Sequence, residues 1–292
     1  MEARDQLIGG GALVRSALEK LAHAKHTLDN ATYTTATGNA FDSATGQLAV
    51  LVGWLAYDSD LHPVARRCYA DALALASEAD DQDLIVHTCL YAANQSIALA
   101  RLGEGRPHHA LKLIDRARTL VRGRPPGRIH ALIAGREAQA QGVLGDRKEF
   151  ERAIATAWRE LEHAIDYEPL EECPQWLRFV ARSEIRGHEA RGYADTGEIR
   201  KGLDLLDASA QKERGTRNAA NDRAWAAATY ARSGDVCAAV AVGTPVLAEL
   251  ENVASYRTLR VLEPVRRTEH PAAEEFRERF DALVGAIRRE TA

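Results

Sequence analysis

Five times along this 292-residue chain an alanine-rich stretch ends in a short Gly- or Asp-centred turn, and a second stretch follows with a small residue near its start. No other feature constrains the fold as strongly, because a unit that recurs must bury its apolar face against its neighbours. The units read GWLAYDSDLHPVARRCYADALALA, SIALARLGEGRPHHALKLIDRARTL, AQAQGVLGDRKEFERAIATAWREL, HEARGYADTGEIRKGLDLLDASA and WAAATYARSGDVCAAVAVGTPVLAEL. Their small residues are Ala65, Ala110, Ala153, Gly202 and Ala239, separated by 45, 43, 49 and 37 positions. Where antiparallel helices cross closely, a larger side chain would force them apart, so Ala or Gly is expected there.

In the first unit Gly53, Ala65, Tyr69 and Ala72 have the spacing of such a crossing. The turns Asp58-Ser59-Asp60, Gly103-Glu104-Gly105, Gly145-Asp146, Thr196-Gly197-Glu198 and Ser233-Gly234-Asp235 use residues that tolerate left-handed backbone or cap helices. No segment alternates with period 2, so a sheet is not expected. The fold class is therefore all-α: a tetratricopeptide-like α-solenoid of about five helix pairs, forming a single superhelical domain over residues 1–292. The tetratricopeptide period is about 34, and linkers at PPGR (125–128) and EPLEECP (168–174) account for the longer spacing.

Residues 11–29 form an amphipathic N-terminal capping helix, with Leu13, Ala17, Leu21, Ala24 and Leu28 on one face. Residues 30–41, polar and poor in helix formers, read as a loop, and the repeats span 43–251. Two C-terminal helices, around 255–267 and 271–290 and split at His270-Pro271, are expected to cap the last pair.

Composition narrows the function classes. A formal net charge of −4 and a pI near 6.2 leave no basic face for direct nucleic-acid binding. No run approaches the roughly 18 apolar residues of a membrane span, and MEARDQLIGGG has no signal-peptide core, so a cytoplasmic location is expected. The cysteines, Cys68, Cys89, Cys173 and Cys237, are too dispersed for a zinc or redox motif.

His108 and His109 are adjacent, so they diverge by about 100° on a helix and read as exposed. His23 and His26 lack a third ligand. Glu168, Glu171 and Glu172 form an acidic patch beside Cys173, in a linker that seldom provides the buried environments of acid–base catalysis. With no nucleophile elbow, phosphate loop or H-E-x-x-H, no catalytic residue, metal or cofactor is expected.

The GGG start (Gly9–Gly11), the segment TYTTATG (Thr32–Gly38), the GWLAYD box (Gly53–Asp58) and the GD-turned repeats appear in that order. This set resembles the C-terminal tetratricopeptide region of actinobacterial helix-turn-helix transcriptional regulators, over nearly the whole chain. Those regulators carry a DNA-binding domain ahead of the region, whereas this chain begins a few residues before the match. The resemblance implies an excised sensor half or a stand-alone relative. It implies binding of a peptide, small effector or partner protein, with a regulatory role in transcription or secondary metabolism.

In such a superhelix the first helix of each pair lines the concave surface, and the inward register selects Gln47, Trp54, Tyr57, Gln95, Glu137, Gln141, Glu184, Arg191 and Asn221. Amides, carboxylates, an arginine and aromatics together could grip an extended peptide or a small polar molecule. Trp158, Trp176 and Trp225 read as inter-helix core. Three functions remain open: a sensor with a preformed polar groove; an adaptor that dimerises through an exposed patch at Leu259, Val261, Leu262 and Val265; and an enzyme using Glu137, Glu184 and Arg191.

Overall fold

Helix-forming stretches separated by chain-reversing turns give, in a computed structural model, a protein whose described residues contain helices and no strand. The description covers residues 13–210, 217–251 and 255–291; the GGG start lies outside it. The chain parts into two compact units. Unit 1 comprises residues 1–88 and 210–292, and unit 2 comprises residues 89–209.

Unit 1 holds α1 (Val14–Asn30), α2 (Thr35–Asp58), α3 (His62–Glu78) and the start of α4 (Gln82–Arg101). It continues with α10 (Arg217–Ser233), α11 (Val236–Leu250), α12 (Tyr256–Val261), α13 (Glu263–Arg266) and α14 (Glu274–Thr291). Unit 2 holds the rest of α4 with α5 (Pro107–Leu120), α6 (Arg128–Leu144), α7 (Arg147–Tyr167), α8 (Arg182–Asp195) and α9 (Ile199–Ala210). Helices that follow one another pack as neighbours: α2 on α3, α6 on α7, α10 on α11. No described helix is long and apolar enough to cross a membrane.

The five turns share one construction. Asp60, Gly103, Gly145, Gly197 and Gly234 all have positive φ, between 63° and 91°. In each turn an amide donates to the carbonyl five residues back: Leu61 to Ala56, Glu104 to Leu99, Asp146 to Gln141, Glu198 to Tyr193 and Asp235 to Tyr230. This bond satisfies a carbonyl left over at the end of the first helix, and the left-handed residue makes it reachable. Asp146 and Asp235 then cap the second helix, their carboxylates accepting from the Glu149 and Ala238 amides.

The crossing residues Ala65, Ala110, Ala153 and Ala239 are fully buried. Gly53 lies against the Tyr69 ring, where a Cβ would come within 2.5 Å. Helices α6 and α8 meet at Gly142 and Gly192; a side chain on Gly192 would strike the Phe150 ring.

Residues 30–41 depart from the expected loop: α1 runs to Asn30 and α2 begins at Thr35. Thr34 caps α2 by accepting from the Thr37 amide. Tyr33 lies over Gly38, edge-on to Phe41, and donates its hydroxyl to the Leu28 carbonyl. The cap and this aromatic contact supply what weak helix propensity does not.

At the other end of the chain α12, α13 and α14 pack onto the α10–α11 pair. Their core joins Leu247, Leu250, Leu259, Leu262, Val265, Phe276 and Phe280. The patch expected for an adaptor is thus spent internally: Leu259, Leu262 and Val265 are fully buried, and Val261 packs against the same cluster.

Candidate functional site

Helix α8 has the sequence RSEIRGHEARGYAD, polar on nearly every face, yet Ile185, His188, Ala190, Arg191 and Tyr193 are buried. A helix of this kind must pair its charges internally, because an isolated buried charge costs far more than packing returns. Glu184, His188 and Arg191, at spacings of four and three, fall on one face and meet Arg136 and Gln139 from α6 and Arg101 from α4.

His188 is the centre and has no exposed surface. Arg191 Nη2 lies 2.8 Å from His188 Nδ1. Arg136 Nη1 and Gln139 Nε2 are each 3.3 Å from His188 Nε2, as is Glu184 Oε1. Burial first, then the charges of Arg136, Arg191 and Arg101, hold the imidazole well below its ordinary pKa, so it is neutral. A neutral ring has one acceptor nitrogen and one N–H. Arg191 can only donate, so Nδ1 is the acceptor and Nε2 carries the N–H, which donates to Glu184; Arg136 Nη1 and Gln139 Nε2, donors themselves, lie against that N–H without a hydrogen bond to it.

The network extends outward. Arg101 donates from Nε to Asp195 Oδ2 at 2.8 Å and from Nη1 to Gln139 Oε1 at 3.2 Å. Both ends of the Arg101–Asp195 pair are more than nine-tenths buried. Glu184 is the accessible rim, with its side chain 24% exposed. Guanidiniums, a carboxamide and a carboxylate of this kind recognise carboxylates, phosphates and peptide amides through directed N–H groups.

The structure distributes the sequence-derived residues unevenly. Glu184 and Arg191 belong to the network. Glu137, also on α6, pairs instead with Arg118 at 2.6 Å and Arg152 at 3.1 Å. Gln95 is buried on α4, and Gln141 is half-buried at the end of α6. In unit 1, Trp54 and Tyr57 pack edge to face at 5.5 Å with the Arg257 guanidinium over both rings. Asn221 is buried beside Thr258, and Gln47 is exposed on α2.

Unit 1 has its own polar knot. Asp58, fully buried, accepts from Ser255 Oγ at 2.9 Å and Arg257 Nε at 3.0 Å. Asp60 lies 2.8 Å from Arg260 and 3.0 Å from His62. Its pKa is lowered by these partners, although burial acts against them. These bonds join the first turn of the repeats to α12, about 200 residues away.

Trp158 donates to Glu189, and Trp176 packs edge-on to Tyr91. His108, His109, His23 and His26 are exposed. Among the described residues no group of three or more His, Cys, Asp or Glu could hold a metal ion. The cysteines are free, with burial raising the Cys68 and Cys173 thiols to about 11.

Arg101, Arg136, Gln139, His188 and Asp195 were not among the residues expected from sequence. The available signal was the missing apolar stripe of residues 182–195, which implies interior charge pairing. No protein-family model and no curated protein matches this chain.

Proposed function

We propose that the chain is a non-catalytic sensor module of the tetratricopeptide type. In this reading the first helix of each pair carries the recognition surface, and the ligand is a peptide, a small effector or a segment of a partner protein. One observation carries the reading: polar side chains from the first helices of three consecutive pairs, α4, α6 and α8, converge around His188. Such convergence gives recognition its direction while the surrounding packing fixes each rotamer, so little ordering cost remains to be met on binding. The shared turn construction supports the same reading, since it repeats the helix-pair geometry along the chain. Glu184, at the accessible rim, and Arg191 behind it are assigned the first contacts. In unit 1 the half-buried Trp54, backed by the buried Tyr57, is the matching contact.

A phage-displayed peptide library panned against the full chain tests this. Enriched peptides should bind the Glu184→Gln protein at least about tenfold more weakly, some 1.4 kcal/mol, when measured well below the unfolding transition of the variant. Trp54→Ala should weaken those recognised by unit 1. Equal affinity for wild type and both variants would place recognition elsewhere and sink the proposal.

A further inference from the structure

The acidic end of α7 and the segment that follows it take no part in the network around His188. Among the described residues the large apolar side chains left exposed are Tyr33, Leu102, Ile165, Tyr167 and Leu170. Three of them fall between positions 165 and 170, and Tyr167 is 71% exposed. They alternate with exposed carboxylates, Asp166, Glu171 and Glu172, beside Glu162, which pairs with Arg182 at 3.9 Å, and no Lys or Arg occurs from Glu160 to Leu177.

The segment is held firmly from below. The Arg128 amide donates to Glu168 Oε2 at 2.9 Å, and Arg128 Nη1 donates to the Glu168 carbonyl at 2.7 Å. Arg178 donates to the carbonyls of Cys173 and Glu171, each at 3.1 Å. Cys173 and Leu177 are buried beneath. Ile165 and Tyr167 lie in the last turn of α7 and Leu170 in the linker after it, and joining two helices does not require three large apolar side chains in water. Fixing them does lower the ordering cost of a contact.

We infer that Ile165, Tyr167 and Leu170 form a docking knuckle for a basic segment of a partner protein, a helix with leucine-like side chains on one face and lysines or arginines beside them. Charge selects this occupant. A second copy of the chain, meeting through the same patch, would set Asp166, Glu171 and Glu172 against their own counterparts. An anionic membrane surface would be repelled in the same way. This surface is separate from the one proposed for recognition around His188, so either can fail without the other.

Fluorescence anisotropy with two labelled amphipathic peptides of about five helical turns, one of Leu and Lys and one of Leu and Glu, tests the inference on the full chain. The Leu/Lys helix should bind. Combining Ile165→Ser, Tyr167→Ser and Leu170→Ser should weaken it at least about tenfold without changing the melting temperature, since all three side chains are exposed. Combining Asp166→Asn, Glu171→Gln and Glu172→Gln should weaken it less and flatten its salt dependence. Equal binding of the Leu/Lys helix to the serine variant overturns the proposal, as does equally tight binding of the Leu/Glu helix. Self-association of the wild type that the serine variant lacks, seen by sedimentation equilibrium, would make a second copy the occupant and overturn it too.

Discussion

Around Phe276 the α10–α11 pair is closed by leucine, valine, tyrosine and phenylalanine side chains; around His188 the first helices of three pairs close over guanidiniums, carboxylates and an imidazole. Both interiors exclude water, but they fail differently when altered. Apolar packing is non-directional, so it degrades in proportion to the volume removed. A buried ionic network is directional, and losing one partner leaves another group desolvated and uncompensated. The Phe276 centre of unit 1 therefore keeps its stability in bulk, whereas the His188 centre of unit 2 keeps part of it in exact pairing, which is also what a recognition surface requires.

The largest effects should come from the two centres. Phe276→Ala in unit 1 and Asp195→Ala in unit 2 should each cost about 3–5 kcal/mol in urea unfolding. Conservative changes separate the mechanisms. Phe276→Leu should recover most of the loss, to within about 1.5 kcal/mol of wild type. Asp195→Asn, though nearly isosteric, should stay costly, because Arg101 loses a buried carboxylate charge. If Asp195→Asn is as mild as Phe276→Leu, the polar interior is not held by charge pairing.

Acid should act next. His87 in unit 1 is pushed to about 3 by burial, and His188 in unit 2 is lowered by burial and its arginine neighbours. In both cases the folded pKa lies below the unfolded value near 6.5. The unfolded chain therefore takes up protons that the folded chain refuses. Stability is complete above that value and falls as pH drops through it, by about 2 kcal/mol for His87 between pH 7 and pH 5, with His188 acting in the same direction. Urea unfolding at the two pH values checks this, and His87→Gln and His188→Gln should each remove one share of the loss. An acid loss that neither variant reduces would assign it to other groups.

The smallest effects should be alike in both units. Asp146→Ala and Asp235→Ala each remove a helix cap and should cost about 1 kcal/mol. A cap that mattered in only one unit would break the equivalence of the turns.

Much of the local architecture was legible. The crossing residues Ala65, Ala110, Ala153, Gly202 and Ala239 announce themselves because only small side chains fit a close crossing. The turns do so because left-handed backbone selects Gly and Asp. The stretch 30–41 was not legible, because a single threonine cap and the packing of Tyr33 over Gly38 outweigh its composition. The apolar residues at 259–265 read as a free patch only while Phe276 and the α10–α11 pair that cover them are left out. Of the residues that the inward register selects, Glu184 and Arg191 fall in the network around His188, whereas Trp54 and Tyr57 pack under Arg257. His188 was missed: nothing in a lone histidine distinguishes an exposed one from the centre of a network.

Sequence by itself determined the helices, their turns and the positions of close approach, because each depends on residues within a turn or two along the chain. Tertiary structure alone decided which charges face inward and which partners they find. Asp58 meets Ser255 and Arg257, and Arg101 meets Asp195, across separations that no local pattern encodes. A charged side chain reads the same in sequence whether water or another side chain surrounds it; only the packed fold removes the water, and with it the alternative.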